Sequence, residues 1–241
     1  MAMQIRNRPR KLPRQARSRA TFEAIVQAGE QLLCRNGFDA LRMNALAERA
    51  GVSPGSLYQY FPNQEAVVEL IAERKLAEIH RLVGQTLGAH RKAPAAESMN
   101  AVLAMLVSYL RAELPLMREL AKSDVFLCDS PTMSGYLGSL PELIVRCARR
   151  RPRGFRLHPD RTRSAFAVLT RVVWDTCRET LASNPESLCG PRFLAELELL
   201  ARTMLLTGTF ESRSSISFSA RNAWSAVREA ASGLQALPQI A

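Results

Sequence analysis

Residues 53–60 combine hydroxyl and amide side chains in a pattern suited to contacting a nucleic acid. In a helix that begins at Pro54, Leu57 and Phe61 share one face, because successive residues are separated by about 100°. The polar side chains then lie on the opposite face and its flanks. They belong to Ser53, Ser56, Tyr58, Gln59 and Tyr60. Such groups form hydrogen bonds with base edges and phosphate oxygens in the major groove of DNA.

The residues before this helix predict a second helix that crosses it at a sharp turn. Ala47 is small enough for two crossing helices to make close contact, and Gly51 can adopt the positive φ of such a turn. Ser53 and Pro54 are preferred at the start of a helix, and Gly55 lets the backbone approach the groove floor. The segment at about 42–61 is therefore predicted to be a helix-turn-helix. The alternative is a helical corner with two surface tyrosines.

The N-terminal segment is basic and has no acidic residue in its first 20 positions. The whole chain has a formal net charge of +11 at pH 7, and nucleic acid is the commonest partner of such a basic protein. We expect residues 1–16 to form a flexible arm that neutralises phosphates, with a solvated tail as the alternative. Arg17 and Arg19 follow the arm and are predicted to contact DNA.

No spacing of reactive side chains indicates an enzyme or a metal protein. The five cysteines form no C-x-x-C pair, and only three histidines could join them. The sequence also lacks the motifs of serine hydrolases, P-loop proteins and zinc proteases. We therefore expect no catalysis, no cofactor and no metal, with thiols that are buried or idle, or else one that senses redox state. The cysteines are Cys34, Cys128, Cys147, Cys177 and Cys189.

The apolar segments of the sequence are short. No apolar segment after the basic residues resembles a secretory signal, and the longest mostly apolar stretch, 101–110, is too short to span a bilayer. A membrane surface remains an alternative acidic partner for the basic residues. We expect a cytoplasmic protein that does not bind a membrane.

Apolar residues recur at helical spacing along almost the whole chain, so the predicted fold is all-α. Segments rich in Pro, Gly, Ser or Asp predict joints at 129–138, 151–159 and 183–190. The final 30 residues are ambiguous between a polar coil and a weak helix. Helices are predicted over 21–36, 43–50, 53–61, 64–88, 98–113, 116–121, 140–150, 161–182 and 191–206.

The segment from about residue 17 to residue 79 resembles the DNA-binding domain of TetR-type transcriptional regulators. The rest of the chain matches that family only in being helical and of suitable length. The resemblance implies a homodimeric repressor that a small-molecule effector releases from a palindromic operator. A DNA-binding nucleoid or division-associated factor that acts through a protein partner is the alternative. The matching residues are Gly37-Phe38, Leu46-Ala47, Ala50-Gly51-Val52-Ser53, Leu57-Tyr58-x-Tyr60-Phe61 and Glu65.

The resemblance also implies which residues contact double-stranded DNA. Two positions depart from the family pattern. Arg42 replaces the Ser or Thr that caps the second helix, which puts that cap in doubt but adds a cation near the DNA backbone. Gln64 replaces a phosphate-binding lysine, which lowers local affinity unless the arm compensates. The implied contacts are Ser53, Pro54, Gly55, Ser56 and Gln59 to bases and backbone, with Tyr58 and Tyr60 to phosphates.

Residues 80–210 are expected to form a larger effector-binding and dimerisation domain, followed by a tail at 211–241. Dimerisation is expected through about 161–206, because a single helix-turn-helix rarely contacts enough DNA for specificity. The apolar stripes there fit either a dimer interface or the monomer core. A basic cluster at 146–156 fits a solvated loop, an acidic effector or flanking DNA. The candidate pocket residues, for which core packing is the alternative, are Met105, Tyr109, Met117, Phe126, Met133, Tyr136, Trp174 and Cys177.

Overall fold

A computed structural model describes residues 15–126, 130–149 and 159–206, together with Pro9 and Pro13. Several predicted segments lie outside the described residues: most of the arm, residues 151–158 of the joint at 151–159, Cys128 and the tail at 211–241.

The described residues form nine α-helices and no strand, which confirms the predicted all-α fold. Short 3-10 turns lie at Phe38–Ala40, Asp124–Phe126 and Pro185–Cys189. The helices are α1 Ala16–Asn36, α2 Met43–Ala50, α3 Pro54–Tyr60, α4 Gln64–Ala89, α5 Ala95–Ala112, α6 Leu114–Lys122, α7 Pro131–Arg149, α8 Pro159–Ser183 and α9 Pro191–Leu206.

The prediction of a joint at 129–138 is wrong for most of its length, because α7 begins at Pro131. Gly135 and Gly138 lie on the exposed side of this helix. Each glycine costs about 1 kcal/mol of helix propensity, and burial of an apolar stripe on the opposite side outweighs that cost. The buried stripe consists of Met133, Tyr136, Leu137 and Leu140.

Helix α4 connects the N-terminal helices to the rest of the chain. Its first half packs against α1, where a Cβ atom on Gly29 would lie 2.9 Å from Val67 Cγ1 and 3.1 Å from Ile71 Cδ1. Any larger residue at position 29 would therefore force these side chains to shift. Helix α4 also packs against α5 and α7. The predicted domain boundary at residue 79 falls inside this continuous helix, so that boundary stays a prediction.

Two ion pairs join α4 to its neighbours. The Arg74 guanidinium donates to both carboxylate oxygens of Glu23 on α1 at 2.6 and 2.7 Å. These hydrogen bonds hold the pKa of Glu23 below its usual value. Lys75 contacts Glu113, just after α5, at 2.9 Å. A shift of α4 would therefore displace the partners of these ion pairs on α1 and at the end of α5.

The described residues also bear on metal and membrane binding. No described helix combines the length and the hydropathy that a membrane span needs. Within the described ranges, no three His, Cys, Asp or Glu side chains are grouped closely enough to hold a metal ion. Cys177 is fully buried, and burial raises the pKa of its thiol to about 12.

Candidate nucleic-acid interface

The turn between α2 and α3 is built by Gly51. This residue has φ 67° and ψ 34°, the left-handed conformation that favours glycine. Its N–H donates to Glu48 O at 3.1 Å, and the Val52 N–H donates to Ala47 O at 3.0 Å. These bonds close the last turn of α2 and redirect the chain into α3.

Helix α3 is held at its start by a side-chain cap. Ser53 Oγ accepts a hydrogen bond from the Ser56 N–H at 3.1 Å, and the two serine hydroxyl oxygens lie 2.8 Å apart. Pro54 follows at the first helical position, where a missing N–H costs nothing. The cap leaves both serines at the exposed start of the helix, where remaining backbone N–H groups attract an anion.

The two faces of α3 differ as the sequence predicted. Leu57 and Phe61 have no exposed surface. Gly55 and Gln59 are exposed, and a Cβ atom on Gly55 would meet no atom within 4 Å. Tyr58 is 43% exposed. The outward face of α3 is therefore accessible to a binding partner.

Tyr60 corrects one part of the predicted interface. The sequence placed it on a flank of α3, but it is only 9% exposed. Its ring packs edge-on against Phe22 of α1, with centroids 5.9 Å apart, beside a stacked contact between Phe22 and Phe61 at 5.1 Å. Tyr60 therefore helps to fix α3 on α1, and we leave it out of the proposed DNA contacts.

The other predicted contact residues surround α3. Arg42 is exposed directly before α2 and makes no side-chain cap there. Gln64 is half-buried at the first position of α4, directly after Asn63, whose Oδ1 accepts from the Ala66 N–H at 3.0 Å. Arg17 and Arg19 are exposed in the first turn of α1.

An apolar cavity of about 60 Å³ lies between α4, α5, α7 and α8. Of the predicted pocket residues, Tyr136 and Trp174 line it. The Tyr109 hydroxyl instead donates to Glu78 at 2.9 Å, and Met105 packs against the core. Four others have no exposed surface and belong to the packed core, so we remove them from the candidate pocket: Met117, Phe126, Met133 and Cys177.

Sequence reasoning missed most of this cavity wall, because it draws on four helices that are distant in the chain. A hydroxyl residue among apolar neighbours, Thr170, was the one signal available in the sequence. Met99, an adaptable apolar residue of the kind predicted for the pocket, does line the cavity, and the residues missed are Ile79, Val83, Val102, Leu103, Leu106, Leu140, Ile144, Leu169, Thr170 and Val173.

The apolar stripes of α8 and α9 belong largely to the monomer core. Phe166, Val173 and Leu181 are buried, as is Leu197 of α9. Among the residues of α8 and α9 whose burial the structure describes, two large apolar side chains remain on the surface: Val168 is 42% exposed and Leu199 is 63% exposed. These two side chains are available for a contact with another chain through α8 and α9.

The N-terminal helices are similar to those of a known protein family. Residues 25–71 match the profile described as "Bacterial regulatory proteins, tetR family". The class A tetracycline repressor protein from transposon 1721 of Escherichia coli is 41% identical over 56 residues, or 23% of this chain and 26% of that protein. The fatty acid metabolism regulator protein of Bacillus subtilis is 24% identical over 133 residues, 53% of this chain and 68% of that protein. The chain covers 26% of the length of the first two curated relatives that it matches.

The likeness to solved structures extends beyond this segment. The TetR-family repressor FadR of Thermus thermophilus, solved in complex with lauroyl-CoA, aligns with a TM-score of 0.54 at 19% identity. The alignment covers 82% of this chain and 99% of that one. At this identity the likeness shows a shared fold.

Proposed function

Because this chain is, through residues 25–71, a member of the tetR family of bacterial regulatory proteins, we propose that it is a DNA-binding transcriptional regulator. It acts as a homodimeric repressor that a small molecule releases from its operator. The observation that carries the proposal is the outward face of α3, where Gly55 and Gln59 are exposed above a fully buried Leu57.

Helix α3 enters the major groove in this proposal. Gln59 faces the base edges, where an amide makes two hydrogen bonds with adenine. Ser53, Ser56 and Tyr58 lie at the start and flank of α3, within reach of phosphates. The exposed cations of Arg17, Arg19 and Arg42 add charge that favours any duplex, which agrees with the net charge of +11.

Two copies of α3 are needed to read a palindrome. We place the dimer contact on the outer faces of α8 and α9, because Val168 and Leu199 are large apolar side chains that the monomer leaves exposed. A two-fold dimer would present its two α3 helices to half-sites about one helical turn apart. Sequence specificity then comes from both half-sites together.

The cavity beneath α4 is the proposed effector site. Its volume of about 60 Å³ is far below the roughly 300–1,000 Å³ of ligand pockets, so an effector must move the surrounding helices apart. Ile79 and Val83 of α4 line the cavity, and the other half of the same helix packs against Gly29. Movement of α4 would therefore shift α1 and, through it, α3. The complex of the Thermus thermophilus relative with lauroyl-CoA supports a small-molecule effector.

The proposal predicts recognition of a two-fold site by the full chain. A library of random duplexes is incubated with the protein, and bound duplexes are recovered and sequenced over several rounds. We expect an inverted repeat to be enriched. We also expect the wild-type protein to bind it at least 10³-fold more tightly than a scrambled duplex, about the lower limit for specific DNA-binding proteins. Equal affinity for the two duplexes at every salt concentration would contradict the proposal.

A further inference from the structure

Two hydroxyl groups in the wall of the apolar cavity have no hydrogen-bond partner. Tyr136 of α7 and Thr170 of α8 both line the cavity. Within the described part of the chain, neither side-chain hydroxyl forms a hydrogen bond. The Trp174 indole N–H is another polar group in the wall, and it donates a hydrogen bond to Phe126 O at 3.4 Å.

Neither hydroxyl oxygen is fully buried, because Arg178 Nε is the one buried side-chain N or O atom without a partner among the described residues. Thr170 is partly exposed. Nearly all buried polar groups in folded proteins have a partner, so a ligand that covers these hydroxyls should supply one. Tyr136 is only 9% exposed, so bulk solvent provides little compensation. A ligand oxygen that accepted from the phenol, or bonded to the threonine hydroxyl, would provide that partner.

The rest of the wall restricts the charge of such a ligand. None of the described residues that line the cavity carries a charge. A carboxylate or phosphate inside it would lose its hydration without gaining a counter-ion, which is strongly unfavourable. Burial raises the pKa of the Tyr136 phenol above its usual value, so this group stays neutral and can donate a hydrogen bond.

We propose that the cavity binds an uncharged molecule with an apolar body and one hydrogen-bonding oxygen, such as an alcohol, ketone or ester. Tyr136 and Thr170 hold the oxygen, and the aliphatic and aromatic side chains enclose the body. The inference rests on the effector role proposed for this cavity. The proposal excludes free acids, because their carboxylate would have to lie against the uncharged wall of the cavity.

The test uses three probes that share one skeleton: 3-phenylpropan-1-ol, propylbenzene and 3-phenylpropanoate. Trp174 lies in the cavity wall, and the chain has one other tryptophan, Trp224. In the full-length Trp224→Phe protein, the emission of Trp174 reports binding directly. At pH 7.5 we expect the alcohol to bind most tightly, and the carboxylate at least about tenfold more weakly than the alcohol.

Variants that remove a single hydroxyl identify its contribution. Tyr136→Phe and Thr170→Val should each weaken binding of the alcohol by roughly 2- to 10-fold and leave the affinity for propylbenzene unchanged. Thr176→Val is the matched control, because the Thr176 hydroxyl already donates to Val172 O at 2.8 Å. Thermal midpoints measured on each variant show whether the fold is kept.

Three results would overturn the proposal. The first is that the carboxylate binds as tightly as the alcohol or more tightly. The second is that neither Tyr136→Phe nor Thr170→Val changes the affinity for the alcohol. The third is that the emission of Trp174 does not respond to any probe up to its solubility limit. A parallel titration of the same protein with the enriched duplex keeps the two proposals separate. Specific DNA binding without probe binding would refute this inference and leave the DNA-binding function standing.

Discussion

Ser53 has two roles in the account, and two substitutions should separate them. Its Oγ caps α3 by accepting from the Ser56 N–H at 3.1 Å, and in the proposed complex its exposed position at the start of α3 lies beside a DNA phosphate. Ser53→Ala removes the cap. Ser53→Asp keeps it, since Asp is as good an N-cap as Ser, but places a negative charge where the DNA backbone should run.

The two substitutions should change different quantities, namely the stability of the protein and its affinity for DNA. Loss of the cap in Ser53→Ala should lower the free energy of unfolding by about 1 kcal/mol, or roughly 2–4 °C in the thermal midpoint for a chain of this size. Ser53→Asp should leave stability unchanged or slightly higher, because an acid favours a helix N-terminus. Its carboxylate should nevertheless weaken binding to every duplex. It should also flatten the plot of log affinity against log salt by about one unit.

Urea denaturation and fluorescence anisotropy measure the two effects on the same samples. The control is Ser108→Asp, which adds the same charge at an exposed position on α5. If Ser53→Asp binds DNA like the wild type, with the same salt dependence, residue 53 does not face a phosphate and the orientation of α3 proposed here is wrong.

Other substitutions test the remaining parts of the account. Gln64→Lys should tighten binding to all duplexes by a similar factor and steepen the salt dependence by about one unit; a change confined to the preferred duplex would refute the placement of α4 beside the backbone. Gln59→Ala should cost roughly 1–3 kcal/mol, only on duplexes that carry its preferred base, and an equal loss on scrambled DNA would count against base contact. Leu199→Asp should convert the dimer to monomer in analytical ultracentrifugation, whereas the control Ala77→Asp, on the exposed side of α4, should not. If the Leu199→Asp protein dimerises as tightly as the wild type, the dimer interface does not include residue 199. Burial raises the pKa of Glu119, but Lys122 and Arg118 outweigh it, so the net pKa lies below 4.5. The stabilisation by this carboxylate is therefore present above pH 4.5 and lost as pH falls through the folded-state pKa. Glu119→Gln should lose less stability in acid than the wild type, and urea titrations from pH 7 to pH 3 would detect or exclude this difference.

Local chemistry explains why much of the interface could be predicted. The start of α3 follows from Ser53 and Pro54, and the turn before it from Gly51, because a cap, a missing N–H and a positive φ depend only on neighbouring residues. The face of Tyr60 was predicted wrongly for the opposite reason. Its position depends on Phe22, which lies 38 residues earlier in the chain on α1.

The larger helical part was harder to predict because periodicity identifies an apolar face but not its partner. Phe166 and Leu181 of α8 were compatible with a dimer interface, which was the expectation, and with the monomer core; the structure buries them within one chain. The start of α7 was missed because Gly135 and Gly138 suggested a turn, although a buried stripe runs through the same segment. Tertiary packing outweighs the local preference there.

The most direct test of the central claim is an interference experiment on the enriched duplex. Guanine N7 lies in the major groove and adenine N3 in the minor groove, so methylation of each base reports which groove the protein occupies. If α3 reads DNA as proposed, N7 methylation should block binding at two symmetric clusters, one in each half-site, with centres about one helical turn apart. Interference from adenine N3 alone, or from a single unpaired cluster, would contradict the claim that two α3 helices occupy the major groove.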